Sequence, residues 1–147
     1  MAAHNQVLAA LYEAYNRHDA DAAAELYVRD GTHEDVAVGR PARGREAIAA
    51  GLHRLFTAFP DARWTPSKQL EHDGRAFGTY LLTGTLQQDM GPFPAGGQRL
   101  ELRGVHVLET DSGLIRLSQD FWDSATFQRQ MAPTTSPTTS PEGETTA

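Results

Sequence analysis

The N-terminal part of the chain carries apolar residues at helical spacing. In residues 4–18 they recur every three or four positions, which predicts an amphipathic helix; they are Val7, Leu8, Leu11, Tyr12 and Tyr15. A second helix is predicted from Asp19, a favourable N-cap, to Tyr27. A third helix is predicted to begin after Gly44 and to end before Pro60. Residues 32–38, between these two helices, are compatible with a short strand.

Beyond Pro60 apolar residues alternate with polar ones, which is the period of a β-strand. Four strands are predicted, separated by turns or loops that contain glycine: residues 62–72, 75–88, 98–110 and 114–123. A short final helix over residues 124–131 follows Asp123 as its N-cap. Helices first and antiparallel strands later are typical of an α+β domain. We therefore expect a curved antiparallel sheet packed on three N-terminal helices around an apolar pocket, the usual form of a small-molecule site.

The C-terminal residues differ in composition from the rest of the chain. No large apolar residue follows Met131, and the segment repeats Thr-Thr-Ser-Pro. Such a segment buries too little surface to offset the entropy lost when it is ordered. We therefore expect one folded α+β domain over residues 1–131 and a disordered Thr/Ser/Pro-rich tail over residues 132–147.

The composition narrows the chemistry that this domain can use. The 147 residues include no cysteine, which excludes disulfides, thiol nucleophiles and cysteine-ligated metal centres. Nineteen acidic and 13 basic residues give a net charge of -6, which argues against nucleic acid as a partner. No apolar run is long enough to cross a membrane, and the N-terminus lacks the basic region of a signal peptide. We therefore expect a cytoplasmic protein that acts through acid–base side chains.

His106 and Asp120 are the most informative polar pair of the expected sheet. On its strand His106 shares the face of the apolar residues, and Asp120 shares a face with Trp122. If Asp111-Ser112-Gly113 forms a three-residue loop, His106 pairs with Ser118 and Asp120 lies diagonally opposite on the same face. A two-residue loop would shift the register by one residue and turn Asp120 to the opposite face.

A carboxylate and a histidine on a partly apolar face can transfer protons. Burial would raise the proton affinity of Asp120, and His106 would orient a substrate or stabilise an anion formed from it. The pair therefore suits proton abstraction beside a carbonyl group. A buried hydrogen bond that only holds two strands together would leave the same pattern, so both interpretations stay open.

His33 and Asp35 form a second polar cluster. Alternation directs both side chains to one face of their strand, where they would line the mouth of a pocket. A solvated strand end is the simpler interpretation, and without a recognisable ligand spacing we expect no metal site. The aromatic residues Trp122, Phe56 and Tyr15 are candidates for the pocket wall, although such residues most often belong to the core.

The opposite face of the last strands is strongly apolar. The residues expected on it are Val105, Val107, Ile115, Leu117 and Phe121. Because such a surface is too apolar to face water, it must pack on something, and we expect a homodimer or a higher homo-oligomer.

Several short motifs follow one another in a characteristic order: Tyr15-Asn16-Arg17-His18-Asp19, Gly44-Arg45-Glu46-Ala47-Ile48, Phe59-Pro60-Asp61, Gly113-Leu114-Ile115, Asp120-Phe121-Trp122-Asp123 and Phe127-Gln128-Arg129-Gln130. With the order of elements, they make the chain resemble the SnoaL-like polyketide cyclases. These belong to the nuclear-transport-factor-2-like superfamily of α+β cone folds. The resemblance covers approximately residues 5–131, and it implies a cone-shaped sheet and a sheet-to-sheet dimer.

The resemblance implies an intramolecular aldol cyclisation of a hydrophobic small molecule, without a cofactor or metal. In these cyclases an aspartate of the last strand removes a proton from the polyketide chain, and the enolate attacks a carbonyl group of the same molecule. By motif this aspartate matches Asp120, and a histidine on the preceding strand matches His106. Two positions before that histidine the cyclases can carry a polar active-site residue, where this chain has Gly104.

Two alternatives to a cyclase remain. Glu34-Asp35-Val36 is similar to the segment that bears the catalytic base of the ketosteroid isomerases, which share the superfamily, and Asp35 would be that base. Leu11 stands where those isomerases have a first-helix tyrosine, so their oxyanion hole would lack a donor. In the other alternative the domain only binds a ligand or dimerises, and His106 and Asp120 stabilise the sheet.

Overall fold

A computed structural model describes residues 6–133 of the chain. This part contains four helices: α1 (Gln6–Asn16), α2 (Ala20–Glu25), α3 (Arg45–Ala58) and α4 (Ser124–Met131). It also contains six strands: β1 (Tyr27–Asp35), β2 (Arg40–Arg43), β3 (Arg63–His72), β4 (Arg75–Thr85), β5 (Arg99–Asp111) and β6 (Leu114–Trp122). The three N-terminal helices, the run of strands after α3 and the short last helix follow the predicted order.

The N-terminal helices begin and end where local chemistry favours it. The Asp19 carboxylate accepts a hydrogen bond of 3.0 Å from the Ala22 amide, which confirms Asp19 as the N-cap of α2. This helix ends earlier than expected because Tyr27, whose side chain is fully buried, already begins β1. Gly44 precedes α3 with a φ of 90°, a conformation that favours glycine, and α3 ends just before Pro60 as predicted.

The strands form one curved, unclosed sheet in the order β2–β1–β6–β5–β4–β3. Its inner face is apolar, and buried residues alternate with more exposed ones along β4 and β5. Helices and a curved sheet around a core confirm the expected α+β class. All neighbouring strands run antiparallel except β1 and β6, which are parallel. β6, the last strand, lies along the edge of β1 that β2 leaves open, and there the two strands run in the same direction.

The short strand expected over residues 32–38 is a hairpin. β1 starts earlier, at Tyr27, and ends at Asp35, and a turn leads into β2. The sequence did not reveal β2, because this strand is short and largely exposed and so shows no clear alternation of buried and exposed residues. The pairing of Asp35 with Arg40 closes the hairpin.

The turn between β5 and β6 has two residues, so the three-residue loop is wrong. In the Ser112-Gly113 turn both residues have a positive φ, 54° and 86°, as a tight hairpin turn of this length requires. A β-bulge in β6 adds one residue, Arg116, so the shorter turn and the bulge together move the register by two residues and restore the expected face. His106 therefore pairs directly with Asp120 rather than with Ser118, and both stay on the inner face.

The same bulge changes the outer face of β6. Ile115, which we expected on that face, is fully buried, because the added residue reverses the side of the positions that precede it. Val105 and Phe121 lie on the outer face as expected and are 38% and 40% exposed.

The last helix completes the described part of the chain. α4 ends at Met131, whose side chain is fully buried against the core. The predicted tail falls almost entirely on residues 134–147, which lie outside the described residues. Among residues 6–133, none of the helices has both the length and the apolar character that a bilayer crossing requires.

Candidate active site

A cavity with two lobes lies against the inner face of the sheet, next to α3. The first lobe measures about 290 Å³ and the second about 430 Å³. Asp35, Asp120 and Trp64 belong to the wall of both lobes, so they mark the junction between them. Tyr15 and His33 make the first lobe partly polar. The second lobe is mainly apolar, and its wall includes Leu82, Phe93, Leu100, Leu102 and Phe127.

Asp120 projects from β6 to the junction of the two lobes. Its Oδ1 accepts a hydrogen bond of 2.6 Å from the Tyr80 hydroxyl, and its Oδ2 lies 3.5 Å from His106 Nε2. The side chain is 15% exposed, which leaves it open to a ligand in the cavity but largely shielded from bulk water. The carboxylate is therefore hydrogen-bonded to Tyr80 and adjacent to His106, at a place that a ligand can reach.

The pKa of Asp120 lies below its ordinary value. Burial alone would raise this pKa, but the adjacent His106, the Tyr80 hydrogen bond and the more weakly acting His33 together lower it. The raised proton affinity that we expected for Asp120 is therefore wrong, because its partners outweigh its burial. Asp120 is ionised at neutral pH and can accept a proton without first losing one.

His106 lies behind Asp120 and is fully buried. Its Nδ1 is 3.0 Å from the Tyr12 hydroxyl, and the rings of three tyrosines surround it, at centroid distances of 5.5 Å (Tyr12), 6.0 Å (Tyr15) and 5.0 Å (Tyr80). Among the described residues, His106 Nε2 has no hydrogen-bond partner of normal geometry. We expected His106 to contact a substrate, but in this position it reaches the cavity only through Asp120.

Asp35 is the second carboxyl group at the junction. It pairs with Asp120 across the parallel strands β1 and β6, and its Oδ1 accepts a hydrogen bond of 2.6 Å from the Trp122 indole. Burial and the charge of Asp120 raise the pKa of Asp35 to about 6, although the Trp122 hydrogen bond lowers it. The two neighbouring carboxyl groups therefore titrate in different pH ranges, a pattern typical of acid–base sites.

His33 faces the first lobe from β1. Its Nδ1 lies 2.7 Å from Ser118 Oγ, which is also 2.6 Å from the Tyr27 hydroxyl. Burial lowers the pKa of His33 to about 4, so its ring is neutral at neutral pH. The next residue, Glu34, lies on the other face, as the alternation predicts, and accepts a hydrogen bond from the Gln119 side chain.

The three aromatic candidates for the pocket wall occupy different places. Tyr15 lies in the wall of the first lobe and Trp122 in the wall of the second. Phe56 belongs to the wall of neither lobe: it is 8% exposed and packs against Trp64 at 6.1 Å and against His18 at 4.8 Å between ring centroids. Phe56 therefore packs against Trp64, a residue of the cavity wall, without lining the cavity itself.

Sequence reasoning missed Tyr12, Tyr80 and Trp64 as parts of this site. The helical spacing of Tyr12 and the alternating pattern at Trp64 and Tyr80 predict burial, and burial does not distinguish a core residue from a residue beside a cavity. The sequence nevertheless holds one signal for Tyr80. Gly104 lies on the inner face of β5 directly opposite Tyr80 in β4, and a glycine inside a strand often marks the close approach of another group.

The arrangement offers proton transfer as its chemistry. An ionised carboxylate, Asp120, lies beside a carboxyl group whose pKa is about 6, Asp35, and both are open to the cavity. Such a pair can take a proton from a carbon acid and return it elsewhere. Within residues 6–133, no three or more His, Asp or Glu side chains are grouped so as to hold a metal ion.

The sequence matches a known family over most of its length. The family model of the SnoaL-like domain matches residues 8–117, a stretch that includes His33, Asp35 and His106 and ends before Asp120. A search of curated proteins found no match.

Solved structures show the same fold at low sequence identity. A proposed polyketide cyclase from Xanthomonas campestris pv. campestris is 24% identical with a TM-score of 0.78, and the alignment covers 86% of this chain and 94% of that chain. A proposed SnoaL-like polyketide cyclase from Shewanella denitrificans is 17% identical with a TM-score of 0.77 and the same coverage, 86% and 94%. A protein of ketosteroid isomerase-like fold from Catenulispora acidiphila, in complex with trimethylamine, is 20% identical with a TM-score of 0.75, covering 87% and 94%. At these identities the likeness shows the fold alone.

Proposed function

Because the chain belongs to the SnoaL-like domain family, we propose that it is a cofactor-independent cyclase that closes a ring in a polyketide-like substrate by intramolecular aldol cyclisation. Family and fold support a role of the cyclase or isomerase type. The observation that carries the choice of chemistry is the position of Asp120, an ionised carboxylate at the junction of the two lobes. A hydrophobic substrate that fills both lobes presents its middle to this carboxylate.

In the proposed reaction Asp120 acts first as general base and then as general acid. Its carboxylate takes a proton from a carbon beside a carbonyl group, and the electron pair of the broken C–H bond forms an enolate. The enolate carbon attacks a second carbonyl carbon of the same molecule, which forms a C–C bond and leaves an alkoxide. Asp120 returns its proton to the alkoxide, so the product has the same composition as the substrate.

The groups around Asp120 divide the remaining tasks. His106 lies next to the carboxylate, on the side away from the cavity, and acts as a positioning residue. In this reaction Ser118 donates its hydroxyl proton to Nδ1 of the neutral His33 ring, so Nε2 carries the ring proton and donates it in a hydrogen bond to the enolate oxygen. Asp35 hydrogen-bonds a substrate oxygen when protonated, and Trp122 forms part of the apolar wall.

Replacement of Asp120 by Asn tests the proposed base. Asn keeps the shape of the side chain and can still accept the Tyr80 hydrogen bond, but it cannot take up a proton at a working pH. We expect turnover of linear poly-β-carbonyl substrates to fall at least ~100-fold. The matched control is Asp123→Asn, which removes an exposed carboxylate before α4 and leaves turnover unchanged.

Two results would contradict this proposal. An unchanged rate in Asp120→Asn would remove Asp120 as the base. A wild-type protein that binds such compounds tightly but converts none of them, while Asp120→Asn alters only the stability, would favour the non-catalytic binding module instead.

A second candidate is an isomerase in which Asp35 is the base. The pKa of Asp35, about 6, favours it, because a base works best when its pKa lies near the working pH. In that reaction Asp35 moves a proton from one carbon of an unsaturated ketone to another. Conversion of a β,γ-unsaturated ketone that is lost in Asp35→Asn and kept in Asp120→Asn would select this function.

A further inference from the structure

Tyr80 reaches Asp120 by crossing a strand. Tyr80 lies in β4 and Asp120 in β6, and β5 runs between these two strands. At the crossing point β5 has Gly104, which pairs with Tyr80 on one side and with Trp122 on the other. Because the Tyr80 hydroxyl donates to Asp120 Oδ1 at 2.6 Å, the phenol ring lies over the backbone of β5 at Gly104.

A side chain at position 104 would block this path. A Cβ added to Gly104 would overlap the hydroxyl and ring atoms of Tyr80. Gly104 is not among the glycines with a positive φ, so its backbone conformation does not itself require glycine. Position 104 therefore requires glycine because of the nearby Tyr80 phenol and not because of its backbone conformation.

We propose that Tyr80 and Gly104 form a matched pair that holds the Asp120 carboxylate in place at the junction of the two lobes. Tyr80 is the positioning residue, and Gly104 provides the gap through which its hydroxyl reaches Asp120. The catalytic consequence of the pair rests on the function proposed above, in which Asp120 is the base. Its electrostatic consequence for Asp120 stands without that function.

The Tyr80 hydroxyl is a permanent donor. Burial and the charge of Asp120 raise the pKa of Tyr80 above its ordinary value, so the phenol keeps its proton at physiological pH. A hydrogen bond to the charged carboxylate favours that form over the neutral acid. The same bond fixes one carboxylate oxygen, which keeps the other oriented before a substrate arrives.

The pKa of Asp120 tests the pair without any substrate. We would follow it by ¹³C NMR of the side-chain carboxyl carbon, with Asp120→Asn to identify the resonance. In Tyr80→Phe, which keeps the ring and loses the hydroxyl, we expect the pKa of Asp120 to rise by about 1 unit. The matched control, Tyr27→Phe, also loses a buried hydroxyl, but that hydroxyl bonds to Ser118 and not to Asp120, so we expect a much smaller change in the pKa of Asp120. Equal values in the wild type and Tyr80→Phe would overturn the proposal.

A double-mutant cycle tests the steric match. Gly104→Ala alone displaces the phenol, so we expect the pKa of Asp120 to rise as in Tyr80→Phe. In the Tyr80→Ala background no phenol is present, so Gly104→Ala adds little to the pKa or to the loss of Tm. A Gly104→Ala protein that folds only together with Tyr80→Ala supports the same match. Equal effects of Gly104→Ala in both backgrounds would overturn it.

Kinetics separate this proposal from the proposed function. If Asp120 is the base, the acid limb of the pH profile of kcat/KM moves up in Tyr80→Phe by the amount that NMR gives for the pKa of Asp120. If the pKa of Asp120 shifts in Tyr80→Phe and the acid limb of the kcat/KM profile does not, the result supports the matched pair and rejects Asp120 as the base.

Discussion

Two carboxyl groups that share a cavity destabilise each other's charged form. The surroundings of Asp35 and Asp120 differ, so the pKa of one group is raised and that of the other is lowered. Asp120 accepts the Tyr80 hydroxyl and faces His106, so it remains charged. Asp35 accepts the Trp122 indole, which does not outweigh its burial and the charge of Asp120, and its pKa rises to about 6. The two carboxyl groups therefore carry one negative charge between their two pKa values and two negative charges above about pH 6.

The Asp35→Asn variant should be more stable than the wild type at pH 7.5. The folded-state pKa of Asp35, about 6, exceeds the ordinary aspartate pKa of 3.8, so the folded protein holds this proton more tightly than the unfolded chain does. The stability lost by ionising Asp35 therefore appears as the pH rises from about 4 through 6 and is complete above that range. Asn still accepts the Trp122 hydrogen bond and carries no charge.

Thermal unfolding at two pH values checks this prediction. We expect Tm to rise by a few degrees at pH 7.5, and by clearly less at pH 4.5, where the wild-type carboxyl is already mostly protonated in the folded protein. The control is the exposed Asp30→Asn, whose Tm should differ little from the wild type at both values. A gain of the same size at both pH values would contradict the role of Asp35 ionisation.

At the scale of elements, the β5–β6 hairpin shows what the sequence could and could not predict. Alternation predicted both strands and the inner position of His106, because half-buried strands leave a period of two in the sequence. The length of the turn could not be predicted, because Asp111-Ser112-Gly113 is compatible with two or three loop residues. The bulge at Arg116 leaves no sequence signal, since it depends on how β6 meets its partner strand. Asp120 still lies on the predicted face because the shorter turn and the bulge together shift the register by two residues, and side chains alternate with a period of two.

Within the site, the sequence predicted the faces on which side chains lie better than it predicted their hydrogen-bond partners. The alternation of β1 placed His33 and Asp35 on the inner face, where the structure has them. The contact of Tyr80 with Asp120 crosses a whole strand and depends on the gap at Gly104, so the periodicity of a single strand cannot reveal it.

The two turn residues should respond to substitution in opposite directions. Both have a positive φ, which Asn tolerates better than Ser and which Gly tolerates better than Ala. We expect Ser112→Asn to raise Tm slightly, and Gly113→Ala to lower the free energy of unfolding by ~1 kcal/mol. Thermal and urea unfolding measure both variants. A Gly113→Ala protein as stable as the wild type would show that this turn does not need the tight two-residue geometry.

At the scale of the whole molecule, the sheet has two apolar faces. The inner face packs on the helices and lines the cavity. The outer face carries Phe77, Val105 and Phe121, which are 41%, 38% and 40% exposed. Val105 pairs with Phe121, and Phe77 pairs with Val107, so these side chains form a strip across β4, β5 and β6. An apolar strip of this kind favours burial against another surface.

We predict from this outer strip that two copies of the chain associate through their sheets. Phe121→Glu places a carboxylate in the strip, and the cost of burying an unpaired charge opposes association. Sedimentation equilibrium at micromolar concentration should give a dimer for the wild type and a monomer for Phe121→Glu. The control is Ala47→Glu, which adds the same charge to an exposed position of α3 and should remain dimeric. A monomeric wild type would contradict the prediction. If Phe121→Glu is still dimeric, the interface lies on another surface of the protein.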